Sequence, residues 1–497
     1  MRVVAKGGAA QITGQLMQGG LSFIFVAIAV RILGTSDYGL VRQAVQALAI
    51  VGQLGLAGFN YSAMRFIARS RATGNPGGVR GAAWAALISV SIWSGISCLA
   101  LLIGADALAS QFADDATRSL ELARLLRIGA PFVPLFALTQ VLRYCTQAYK
   151  TMVPSVIVGS IVQPAARFVL GVGFLLMGLG LAGVVAAHVA AAGVAAVAGA
   201  WFLRRVLTPI ERSALPNADL GSMARFALLQ GGSSLLGVQT LGLAVLVLGV
   251  LGTDREVGLM GIALALQTLG TISLGAVVNI WAPMVTDLYE RGEIERLQAL
   301  YETVTRWVVT LSFPVLIALI IEPDFFVRLL VGDNGRGAAG VVALLAIGNL
   351  FYTGTGPTGF VLSMTGRPGI NFINSVVAVA VYIGLGALVV PRHGAVGMAA
   401  VDASVTALIN GARVVQAKLL IGVQPFGSSI RKPLFAAGGA AAATLIWRLV
   451  PGDSLILDGA GLLLGGVAYV TILAVFGLDP EEQHVWERIK ARAGARS

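Results

Sequence analysis

Runs of about 20 apolar residues, separated by short clusters of arginine, glycine, aspartate and proline, recur along the chain. That length is telling, because ~30 Å of hydrocarbon is crossed at about 1.5 Å per helical residue. Fourteen runs can be read, at 10–33, 40–63, 82–104, 126–149, 154–177, 180–203, 225–250, 257–281, 303–321, 341–364, 370–390, 395–420, 433–450 and 455–477. No strand-like alternation of apolar and polar residues accompanies them. An open sheet edge is not tolerated in lipid, so every run is expected to be a helix. The last pair is the weakest: 433–450 is short and alanine-rich, and twelve spans with an interfacial hairpin is the other arrangement that fits. The first run is too long for a cleaved leader, carries Gln11, Gln15 and Gln18, and lacks a small-residue cleavage site.

Composition agrees with an all-α integral membrane protein of about fourteen transmembrane helices. Of 497 residues, 57% are hydrophobic and only 12% charged, too little polar surface to clothe soluble domains and too little charge for disorder. Cys98 and Cys145 lie in apolar stretches, and His188, His393 and His484 are scattered, so neither a disulfide framework nor a metal cluster is expected. No Walker motif or nucleotide fingerprint stands out, and no cofactor is expected.

The net charge of +11 follows from topology. Arg65, Arg69, Arg71 and Arg80 share one loop; Arg204, Arg205, Arg212 and Arg225 another; Arg488, Lys490, Arg492 and Arg496 the tail. The loops on the other side carry only Arg118, Arg124, Arg255, Arg328, Arg336, Arg392 and Arg448. The positive-inside rule then places both termini in the cytoplasm. A nucleic-acid partner has no basic domain to dock on. Two stretches read as amphipathic helices on the membrane surface. One is 286–308, with Ile294, Leu297, Tyr301, Val304 and Val308 on one face; the other is the tail from Pro480, with Val485, Trp486 and Ile489.

The chain also repeats itself. Leu33-Gly34-Thr35-Ser36-Asp37 is echoed by Leu251-Gly252-Thr253-Asp254, and Leu125-Leu126-Arg127-Ile128-Gly129 by Leu344-Leu345-Ala346-Ile347-Gly348. At a constant offset of 214, Pro154 pairs with Pro368, Gly180 with Gly394, Gly183 with Gly397 and His188 with Asp402. Six spans per repeat is an even number, so the halves are parallel and face each other across a central cavity. The expected organisation is a first lobe at 1–207, a cytoplasmic linker at 208–224, a second lobe at 225–422, two added helices at 433–478 and a basic tail at 479–497.

Arg31-Ile32-Leu33-Gly34-Thr35-Ser36-Asp37-Tyr38-Gly39 resembles the pattern at the first hairpin of bacterial polysaccharide flippases. Ala282-Pro283-Met284 through Tyr289-Glu290-Arg291-Gly292, on to Leu297, Tyr301 and Pro314, resembles their loop between spans eight and nine. Pro391-Arg392-His393-Gly394-Ala395-Val396-Gly397 resembles their turn before span twelve. The resemblance is to the multidrug/oligosaccharidyl-lipid/polysaccharide exporter (MOP) superfamily. It implies a non-enzymatic transporter of the bacterial inner membrane that moves undecaprenyl-pyrophosphate-linked oligosaccharide from the inner to the outer leaflet. It also implies a monomer among membrane lipids, partnered by polysaccharide polymerase or export components. Related readings are a peptidoglycan-precursor flippase and a cation-coupled drug exporter; a polytopic glycan polymerase or ligase lacks the sizeable outer loop it would need.

A pyrophosphate substrate calls for cations in a cavity, and a cation within a span usually marks a pathway. Arg31, Arg42, Arg127, Arg143 and Arg167 all belong to the first lobe, and Arg413 is the comparable residue of the second. Arg143 and Arg167 lie deepest and are the leading pyrophosphate candidates, since guanidinium binds phosphate oxygens in bidentate fashion. Arg31 and Arg42 lie near a boundary, and the alternative for them is snorkelling or a structural pair with Asp37. Gln140, Gln163, Gln239, Gln267, Asn279, Asn349 and Asn374 are candidate sugar contacts, with helix–helix hydrogen bonding as their alternative. Asp402 is the clearest acid within a span, which makes it a candidate for proton or sodium coupling together with His188 at the equivalent repeat position.

Overall fold

The computed structural model describes residues 2–112, 115–149, 151–452 and 454–477, without side chains at 2–12, 229–241, 272, 275–283, 286, 287 and 368. Among these residues the chain is helical throughout and contains no strand. The order is α1 (Arg2–Leu33), α2 (Thr35–Leu56), α3 (Phe59–Ala72), α4 (Pro76–Ala109), α5 (Ala116–Gly129) and α6 (Phe132–Gln147). Next come α7 (Val153–Val156), a π-helical turn (Ile157–Val162), α8 (Gln163–Leu176), α9 (Gly180–Val206) and the short α10 (Pro209–Ser213). The second half holds α11 (Leu220–Leu251), α12 (Asp254–Glu290), α13 (Ile294–Ile321), α14 (Pro323–Val331), α15 (Ala338–Gly354), α16 (Thr358–Met364) and α17 (Pro368–Ile421). A final hairpin is made of α18 (Arg431–Trp447) and α19 (Leu455–Phe476).

The polar breaks between apolar runs supply the caps. Asn75 and Asp115 accept from the amides of Gly78 and Arg118, and Thr208 and Glu211 form a reciprocal capping box. All fourteen sequence runs fall on helix. Eight helical stretches among the described residues are long and apolar enough to cross a membrane, or ten if each bent pair is one span. The bent pairs are α5–α6 and α15–α16, each turned by 41° next to Pro131 or Pro357. The structure therefore supports a multi-pass all-α protein, while the number fourteen stays an expectation.

One pair of repeat positions shares a backbone feature. Gly180 and Gly394 both take positive φ, 55° and 52°, and each opens a helix after a tight break, a conformation side chains resist. The break at Gly394 splits α17 into two arms.

One core joins the halves at one end, whereas at the other the apolar packing divides, with the start of α11 packed against the first half. At the end carrying Gly34 a single apolar core unites Val30, Leu40 and Leu126 with Leu248, Met260, Val342 and Met398. There α2 and α12 cross at glycines used reciprocally. A Cβ on Gly39 would collide with the carbonyl oxygen of Asp254, and one on Gly258 with that of Thr35. Arg118 bridges the contact, 2.6 Å from Asp37 and 3.6 Å from Asp254, and the amide of Gln43 donates to Asp254 at 3.1 Å. At the opposite end the apolar packing is split in two. One cluster gathers Ile67, Val79 and Val141 with Met223; the other gathers Leu297, Tyr301, Val361 and Val423.

That second cluster corrects the reading of 286–308. α12 runs on to Glu290 and α13 starts at Ile294, so the segment is two helix ends and a turn. Its apolar stripe is buried against α16 and α17, and the Tyr301 hydroxyl donates to the carbonyl of Thr355 at 3.0 Å. Pattern alone does not say whether such a stripe meets lipid or protein. The amphipathic tail from Pro480 lies outside the described residues.

Candidate functional site

Between the halves lies a cavity of about 680 Å³, and a recess of about 170 Å³ continues it into the first half. Arg42, Leu264 and Thr268 line both, so the two form one chamber. The recess is walled by α1, α2, α8, α9 and α12, which bring Ser22, Tyr38, Arg42, Arg167 and His188 together. The larger part is walled chiefly by α12, α15, α16 and α17, with Gln267, Asn349, Tyr352, Tyr382, Asp402 and Arg413.

The charged side chains of this chamber are under-satisfied. Arg167 donates from Nη2 to the hydroxyl of Ser22, yet its Nε has no partner in the protein. The Nε atoms of Arg42 and Arg413, Nδ2 of Asn349 and Oε1 of Gln15 are likewise buried without one. Buried polar groups are normally hydrogen-bonded, and these atoms line the chamber, where water or a ligand can reach them. Arg42 reaches the chamber by packing with Tyr38 over Gly261 of α12, where a Cβ would stand 2.9 Å from the tyrosine ring. Arg413 lies beside Gly359 of α16.

His188 and Asp402, equivalent in the repeat, both face the chamber. Nδ1 of His188 pairs with the carbonyl of Val184 at 2.9 Å, and its ring meets Phe25 edge-on at 6.3 Å. Asp402 accepts from the Tyr382 hydroxyl at 2.9 Å. At the offset of 214, Tyr382 corresponds to Phe168, so the second half has exchanged a phenyl ring for a phenol that can hold a carboxylate. Sequence reading missed Tyr382. The signal was available in the repeat, as a gained hydroxyl opposite the gained acid.

The other candidates are spent elsewhere. Arg31 donates to the carbonyl of Leu329 at 2.9 Å on the surface of the Gly34 end. Asp37 pairs with Arg118, so it staples neither Arg31 nor Arg42. Arg127 is paired with Asp106 on an exposed face. Arg143 donates to the carbonyl of Ser155 at 3.1 Å and to Gln140 at 3.0 Å, and lines neither part of the chamber. Gln140 is thereby occupied, and Asn374 and Gln416 exchange amide hydrogen bonds of 2.7 and 3.0 Å. Gln163 opens α8 and lines neither cavity. Of the sugar-contact candidates, Asn349 and Gln267 reach the chamber; the side chains of Gln239 and Asn279 lie outside the described residues.

The all-α fold, with a polar, cation-lined chamber, is similar to that of several solved structures. The lipid II flippase MurJ in an inward closed conformation aligns with a TM-score of 0.75 at 9% identity, over 95% of this chain and 98% of that one. An inward-facing multidrug resistance MATE family transporter of the MOP superfamily aligns with a TM-score of 0.70 at 15% identity, over 84% and 98%. A MOP superfamily transporter from Pyrococcus furiosus gives 0.60 at 14% identity, over 84% and 95%. A comparison with curated proteins gives no match. The family described as "Polysaccharide biosynthesis protein" matches residues 4–288, and the chain belongs to that family.

Proposed function

We propose that this protein carries an undecaprenyl-pyrophosphate-linked oligosaccharide from the inner to the outer leaflet of a bacterial cytoplasmic membrane by alternating access, for surface polysaccharide synthesis. The observation that carries the reading is the chamber's charge: Arg42, Arg167 and Arg413 against Asp402, the single carboxylate lining it among the described residues, with the guanidinium Nε atoms unpartnered. Each such cation costs about 2.5–3.5 kcal/mol at the centre of a span. An anion bridging them offsets that cost, whereas a cationic drug would add to it. Both termini are assigned to the cytoplasm by the positive-inside pattern, which turns the Gly34 end outward and makes this conformation closed to the outside. The organisation into lobes at 1–207 and 225–422 with an added hairpin accounts for rocking about the chamber.

The test is complementation together with leaflet-resolved accumulation of labelled lipid-linked sugar. Arg167→Ala and Arg413→Ala are each expected to lower transport at least tenfold, since one bidentate charge-assisted contact is worth about 1.5–3 kcal/mol. Arg127→Ala, which removes a surface ion pair worth about 0–1 kcal/mol, is expected to transport normally. Normal flipping by an Arg167→Ala, Arg413→Ala double variant would overturn the reading.

A peptidoglycan precursor is the second reading, since it shares the pyrophosphate carrier and the fold is like that of a lipid II flippase. Asp402 with Tyr382 is the candidate coupling site for either substrate. Asp402→Asn keeps a hydrogen-bond acceptor for the phenol but abolishes charge. It is expected to uncouple flipping from the proton or sodium gradient; unchanged gradient dependence removes Asp402 from the mechanism.

A further inference from the structure

Arg143 is a buried cation that the chamber does not use, and its surroundings are unusual. It stands on α6 against the junction of α7 and the π-helical turn Ile157–Val162. Its Nε donates to the Ser155 carbonyl at 3.1 Å and to the Ser155 hydroxyl at 3.3 Å, and Gln147, one turn on, donates to the same hydroxyl at 2.7 Å. The guanidinium fills the notch left by Gly159, where a Cβ would collide with Cζ of Arg143. On the far side α1 presents Gly14, where a Cβ would stand 2.7 Å from Val156 and 2.9 Å from Ser160. The π turn is therefore gripped from both sides.

The sequence shows why the turn is wide. Pro164, in the first turn of α8, has no amide hydrogen to give, and its ring crowds the carbonyl four residues back, that of Ser160. Opening the preceding turn relieves the clash, and the amide of Gln163 accordingly bonds the carbonyl of Val158, five residues back. A π turn carries one residue more than an α turn. Tightening it to α therefore rotates α8 against α7 by about 100°, one residue's angular step. Arg167 lies just over a turn beyond Val162, and on the same helix Val169, about 200° round from it, is 66% exposed. The register of the turn thus decides whether residue 167 or a neighbour faces the recess.

We propose that Arg143 is a positioning residue: Pro164 favours the wide turn without fixing it, since a proline-kinked α turn is the alternative, and Arg143, by holding the π turn, sets the rotation of α8 and aims Arg167 into the chamber. The meaning given to Arg167 rests on the transport reading above; the rotation does not. The test uses the full-length protein with Cys98 and Cys145 replaced by alanine, and single cysteines at 166, 167 or 168 exposed to a water-soluble maleimide. With Arg143 in place, Arg167→Cys labels several-fold faster than Ala166→Cys or Phe168→Cys. In Arg143→Met the maximum moves to 166 or 168, and Arg143→Lys, which keeps a donor for the Ser155 carbonyl, restores it to 167. Gly159→Ala, which retains Arg143 but expels its guanidinium, serves as the second variant and gives the same shift. A maximum that stays at 167 in whichever of Arg143→Met and Gly159→Ala elutes as a monodisperse folded protein overturns the proposal. A shift accompanied by normal flipping in Arg167→Ala keeps the positioning role and removes the transport role of Arg167.

Discussion

The sequence ranks the arginines only by depth, but the structure divides them by what they touch. Arg118 and Arg127 have carboxylates and Arg143 has a carbonyl and an amide oxygen, whereas Arg42, Arg167 and Arg413 keep a buried Nε unpartnered. The periodicity that places a residue on a helix does not say which neighbour that face meets. Arg143 and Arg167, the two deepest candidates, thus have different surroundings: one grips the protein and the other lines the chamber. At the end opposite Gly34, Glu211 shows a satisfied acid at residue scale. It pairs with Arg71 at 3.3 Å and accepts from the Tyr149 hydroxyl at 2.9 Å and the Thr208 amide at 2.8 Å. Partial burial pushes its carboxyl up, but the hydrogen bonds from Thr208 and Tyr149 and the Arg71 charge outweigh it, leaving the group below its ordinary value of 4.5. An acid depressed on folding stabilises the fold above its unfolded value and loses that contribution as pH falls through the folded one. Glu211→Gln is therefore expected to unfold at a lower temperature than the parent at pH 7, with the gap narrowing below about pH 4.5. A pH-independent gap would assign the stabilisation to packing.

Elements were legible where their signal is local. The apolar runs and the break between 390 and 395 follow from sequence, because helix length and termination depend on near neighbours. The crossing of α2 and α12 was not, because it joins residues more than two hundred positions apart. Gly39 and Gly258 let the two backbones approach closely, and Arg118 and Gln43 of the first half hold Asp254 of the second. Gly39→Ala is expected to open this end. Ala44, fully buried here, then reports the change as faster maleimide labelling of an Ala44→Cys reporter. Equal labelling with and without Gly39→Ala would show that the crossing is not the closure. α13 teaches the same lesson in reverse. Its stripe was plain, but protein rather than lipid covers it.

On the scale of the whole molecule, the halves join through one core at the Gly34 end, while at the other end the packing divides into separate clusters, the first of which takes in the start of α11. The sequence by itself determined the class: a chain this apolar must satisfy its backbone within helices, and a repeat with an even number of spans must be parallel. It also offered the family resemblance and the pairing of His188 with Asp402 at one repeat offset. Only the tertiary structure decided which cations face the cavity, that Tyr382 holds Asp402, and that Asp37 belongs to Arg118. The physical reason is range. Helix formation and membrane insertion are written in neighbouring residues, whereas the satisfaction of a buried charge depends on partners brought from distant spans.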